Sequence, residues 1–126
     1  MSAHTTPTID LASLLDAAGD GVHWSLGDAE DLNANLVRLE PGHRIEDHVN
    51  HDVEVLLVVL SGHGSVHIDG QAHPLTPATV ALVPRSSARR ITAGTGGMAY
   101  LSIHRRRSGL QVRRAGHSPG PEQPRR

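Results

Sequence analysis

The sequence predicts an all-β domain, an antiparallel barrel of jelly-roll type. Three observations carry this. Short runs of β-branched and aliphatic residues recur every eight to twelve positions, with Gly and Pro between them. The one unbroken apolar run, residues 55–60, is too short for a buried helix and lies between turn signals. No stretch sustains a helical apolar stripe beyond residues 8–18.

In order, residues 1–7 are polar and carry no fold signal. Residues 8–18, TIDLASLLDAA, predict a short helix or turn that Thr8 caps and Gly19 ends. Residues 22–26 carry the only Trp and read as an edge strand or an entry loop. Residues 32–39, LNANLVRL, alternate as a strand, with Leu32, Ala34 and Leu36 on one face. Asn33 and Asn35 share the other face. They form either a solvated surface or a pair of pocket amides, depending on how the strand is oriented.

Pro41-Gly42 then turns the chain into a cluster of His, Asn, Asp and Glu. Strands are expected at 53–60 and 65–68, separated by Gly62-His63-Gly64. Asp69-Gly70 suits a tight hairpin turn. Further strands follow at 72–75 and 79–83, a turn at 84–88, a strand at 89–93, a flexible loop at 94–97 and a last strand at 98–104. His63 and His67 are expected to be exposed. Domain boundaries follow: an N-terminal segment 1–21, a barrel 22–104 and a basic tail 105–126.

Charge is segregated along the chain. Residues 1–104 hold five Arg against twelve Asp and Glu, whereas 105–126 hold seven Arg against Glu122. The tail is rich in Pro, Gly and Arg with almost nothing to bury, and is expected to be disordered. With no Cys there is neither a disulfide nor a thiolate nucleophile. No glycine-rich phosphate loop or serine elbow is present. An acidic domain without a recognition helix argues against nucleic acid as a partner, despite Arg105, Arg106 and Arg107. No apolar run approaches the roughly 18 residues of a membrane span, and no secretion signal is visible, so a cytoplasmic, soluble protein is expected.

Residues 41–70, PGHRIEDHVNHDVEVLLVVLSGHGSVHIDG, resemble the first motif of the cupin family. That motif reads Gly, five residues, His-x-His, three or four residues, Glu, six residues, Gly. Here Gly42 leads to His48, Asn50 stands at the second His, and Glu54 follows three residues on. Gly62 closes the motif one residue late, so that counting back from it puts Val55 at the Glu position. The second motif reads Gly, five residues, Pro-x-Gly, two residues, His, three residues, Asn. Those positions hold Ala78, Pro84, Ser86, Arg89 and Ala93.

The resemblance implies a barrel pocket, and in the family the two motifs supply His and Glu to Fe, Mn, Ni or Zn. An Arg cannot ligate a metal, but its planar fork suits a carboxylate or phosphate. Arg89 is therefore either an anion holder or an exposed strand-end residue beside Arg90. The expected ligand-binding set is His48, Asn50, Arg89 and His104, for a small polar or anionic molecule and with no assigned catalytic residue. The alternative is a metal-dependent enzyme, a dioxygenase, isomerase or lyase, drawing on His48, His51, Glu54 and His104. The expected cofactor is thus none, or a weakly held divalent metal. Both alternating faces of residues 55–60 are apolar, so the outer one needs a cover, either the N-terminal segment or a second copy; a homodimer is expected.

Overall fold

The computed structural model describes residues 8–106. The expectations for residues 1–7 and for the tail beyond 106 lie outside the described residues. Among these, seven strands run β1 (Gly21–Ser25), β2 (Leu32–Leu39), β3 (Arg44–Val49), β4 (Val55–Ile68), β5 (Gln71–Leu75), β6 (Val80–Val83) and β7 (Ala88–Arg105). All pairings are antiparallel. The path is β1-β2-β7-β4-β5, with β3 added to β7 and β6 added to β4, and the sheet does not close into a complete barrel. Among the described residues no helix is long and apolar enough to cross a membrane.

Two long strands make this one sheet act as two walls. The first half of β7 pairs with β3 and its second half with β2. Likewise β4 pairs with β6 through residues 55–58 and with β5 through residues 64–68. The sequence reading split each long strand at its glycines; the structure keeps both strands continuous. The glycines serve instead to let the backbones cross. A Cβ on Gly62 would lie 2.1 Å from the Gly97 carbonyl oxygen, and one on Gly64 would lie 2.2 Å from the Thr92 carbonyl oxygen. The register between β4 and β7 also slips at these points.

Strand β3 has no counterpart in the sequence reading. Its inward positions are Ile45 and His48, and the register slips between them. The bulge places them three residues apart, so period-two alternation is absent. The N-terminal segment forms one short 3-10 turn, Leu11–Leu14. Asp10 caps it, where Thr8 was expected, accepting a hydrogen bond from the Ala12 amide at 3.1 Å. β1 is an edge strand, as one of the two sequence readings had it.

The core lies between the walls. Leu57, Val59, Val66, Leu75, Ile91 and Met98 are buried there, with Leu39, Val83 and Ala93 around them. At 25 cal/mol per Å2 of apolar surface, each of the larger side chains stabilises the fold by roughly 1.5–3 kcal/mol. The hairpin at Asp69-Gly70 has positive φ at both residues, 50° and 84°, the geometry that Asp-Gly favours.

Candidate functional site

An open cavity of about 1080 Å3 lies between the two walls. On one wall β2 turns Asn33, Asn35 and Val37 toward it, because Ala34 and Leu36 are buried on the opposite face. This settles the orientation left open above: the two amides belong to the pocket. The second half of β7 adds Tyr100, Ser102 and His104 from the same face. The register sets Asn33 opposite His104, Asn35 opposite Ser102 and Val37 opposite Tyr100.

The facing wall carries Ile45 and His48 from β3 and Arg89 from the first half of β7. His48 and Arg89 are direct partners across the β3–β7 ladder. Arg89 is only 8% exposed, so it is no surface residue. Its Nε atom is buried without a hydrogen-bond partner among the described residues. Its neighbour Arg90 points the other way and reaches Asp47 at 3.8 Å. Burial pushes the Arg89 guanidinium below its ordinary value, and the nearby Tyr100 offsets part of that. Burial also pushes the Tyr100 phenol up, with Arg89 pulling against it. A buried phenol and a guanidinium whose Nε lacks a hydrogen-bond partner among the described residues therefore share the cavity.

The remaining sequence candidates are placed differently. Asn50 lines the cavity, but its Oδ1 accepts from the Asp52 and Val53 amides at 2.9 and 3.2 Å and so holds the loop into β4. His51 is exposed and its Nδ1 meets the Ser86 hydroxyl at 3.1 Å. Glu54 is exposed and borders a separate, smaller hollow with Leu32, Leu56, Leu82 and Arg85. His104 Nδ1 lies 2.9 Å from the Arg105 carbonyl, which can only accept, so that nitrogen carries the proton. Its Nε2 then accepts from the Asn33 amide at 3.2 Å. His63 is exposed, but His67 is half-buried and its Nδ1 has no partner among the described residues, against the expectation that both face water.

These donors do not fit the metal shell implied by the motif resemblance. Both nitrogens of His104 are engaged, Glu54 and His51 do not line the cavity, and a guanidinium faces the space from the strand beside His48. Among the described residues no group of three His, Asp or Glu side chains could hold a metal ion.

The sequence reading missed Asp20 and His43 at the cavity's lip. Asp20 Oδ1 accepts from the Glu40 amide at 2.7 Å, and its other oxygen meets His43 Nδ1. These residues lie 23 positions apart, in two loops that carry no shared motif. Ser102 and Tyr100 did leave a signal, the strand parity they share with His104.

Comparison with known proteins gives the lineage. A cupin domain family model matches residues 35–104. No curated protein matches the chain. A cupin superfamily protein of Desulfitobacterium hafniense is 24% identical, with 79% of this chain and 90% of that one covered at a TM-score of 0.65. KdgF from a Halomonas species is 18% identical over 69% and 80% of the two chains, with a TM-score of 0.62. A putative sugar phosphate isomerase from Acidithiobacillus ferrooxidans is 29% identical over 61% and 51%, with a TM-score of 0.56.

Proposed function

The chain belongs to the cupin family, and from that premise we propose that its cavity binds a small anionic molecule without a tightly held metal. Arg89 supplies the charge and His48 a hydrogen bond beside it. The single observation that carries this reading is the buried Arg89 side chain, whose Nε has no hydrogen-bond partner among the described residues. A charge withdrawn from water without a partner costs several kcal/mol, and an anion in the cavity would offset that cost. A carboxylate fits Arg in a two-pronged hydrogen bond, which gives direction as well as attraction. The putative sugar phosphate isomerase, by its name, also handles an anion. Among the described residues no group of three His, Asp or Glu side chains stands around the cation to hold a metal, which supports binding over metal chemistry.

The test is thermal melting with malonate, citrate and hexanoate. One or more should raise the melting temperature of the wild type, since a ligand at 100 times its Kd stabilises by about 2.7 kcal/mol. The shift should vanish in Arg89→Met and shrink in His48→Ala. Equal shifts in wild type and Arg89→Met, or none with any carboxylate, would overturn the reading. Elemental analysis of untagged protein gives a second check. Stoichiometric Fe, Mn, Ni or Zn, lost in His48→Ala, would replace it with the metal-dependent enzyme.

A further inference from the structure

We infer that the molecule held in this cavity is a carboxylate that also carries several hydroxyl groups, a polyhydroxy acid. The inference rests on the anion reading above and comes from the opposite wall, which that reading does not use. There Asn33 and Asn35 stand two residues apart on one face of β2, roughly 7 Å along the strand. Ser102 is the cross-strand partner of Asn35, with Cβ atoms about 5 Å apart in such a pair.

The hydrogen bonds fix what each amide offers. Asn33 donates to His104 Nε2 at 3.2 Å, which assigns its Nδ2 to that contact and leaves Oδ1 as an acceptor. Asn35 is reversed: its Oδ1 accepts from the Ser25 hydroxyl at 2.6 Å, which leaves its NH2 as a donor. Ser102 contributes a hydroxyl that can do either. The wall thus presents an acceptor, a donor and a two-way group, all uncharged, facing the cation-bearing wall.

This pattern selects among ligand types. A second carboxylate or phosphate only accepts, so the Asn33 oxygen would repel it. An apolar body would leave amides unpaired, at about 1–3 kcal/mol for each group stranded. A flat ring finds no platform, since Tyr100 is 2% exposed and Trp24 does not line the cavity. Hydroxyls donate and accept at once and match all three groups. A molecule spanning the cavity therefore places its carboxylate at Arg89 and its hydroxyls at Asn33, Asn35 and Ser102.

Calorimetry with three six-carbon probes tests this: D-gluconate, hexanoate and sorbitol. Gluconate should bind at least about tenfold tighter than either of the others, a difference of about 1.4 kcal/mol. Asn33→Ala and Asn35→Ala should erase its advantage over hexanoate while hexanoate binding persists, which also shows that the variants fold. Arg89→Met should weaken gluconate and hexanoate and leave sorbitol unchanged. Equal affinity for gluconate and hexanoate in the wild type would overturn the hydroxyl wall and leave the anion reading standing. Sorbitol binding as tightly as gluconate, or no binding of either carboxylate, would overturn both.

Discussion

Arg89 carries a permanent charge into a face of β7 whose next inward residues are Ile91 and Ala93. A side chain of that kind lowers the stability of the empty protein, and the proposed anion would offset that cost. Asp20 shows the opposite arrangement at the cavity lip, where every charge-bearing oxygen has a donor. The amide hydrogen bond from Glu40 holds its carboxyl below the ordinary value of 3.8, and His43 and Arg38 add to this. A carboxyl whose folded value is depressed contributes stability above its unfolded value and loses it as pH falls through the folded one. The melting temperature of the wild type should therefore exceed that of Asp20→Asn above the ordinary carboxyl value of 3.8, and the gap should close as pH falls below it. A gap of unchanged size at the acid end of the melting series would refute this account of the lip.

At the scale of elements, the crossing of β4 and β7 decides whether the two walls exist at all. Gly64 lies where Thr92 and the Met98 side chain leave no room for a methyl group. Gly64→Ala should thus cost about 2–4 kcal/mol, a fall of roughly 10 °C or more in melting temperature. Gly96→Ala is the control, because a Cβ there meets nothing within 4 Å. Comparable melting temperatures for the two variants would mean that the crossing relaxes freely. The bulge in β3 acts on the same principle by a different device. It lets Ile45 pack against the core while His48, three residues on, still faces the cavity beside Arg89.

For the whole molecule, the outer face of β6, β4 and β7 remains to be covered. Two rows of apolar side chains cross it: Leu82, Leu56 and Ile103 in one, Val80, Val58 and Leu101 in the other. Val80 and Leu82 are 59% and 53% exposed, so the described residues 8–21 do not cover this part. We expect a second copy to do so, with Glu54 near Arg85 and Arg105 at the border of the patch. Light scattering should give twice the 13.4 kDa chain mass, and Leu82→Arg should return the monomer. A monomeric wild type at micromolar concentration would remove this interface.

The sequence by itself determined the strand cadence, the family and the Asp-Gly hairpin. These are local: they depend on period-two patterning, turn residues and fixed spacings along the chain. The tertiary structure alone decided which face of β2 looks inward, and with it whether Asn33 and Asn35 meet water or a cavity. Strand parity sorts residues into two faces but does not say which one is buried until the facing wall is in place. It also decided that β4 and β7 run through their glycines, since only the crossing of two distant segments shows why a side chain is forbidden there. Asp20 and His43 are the plainest case. Each is an ordinary loop residue in sequence, and the fold brings their side chains into contact at the mouth of the cavity.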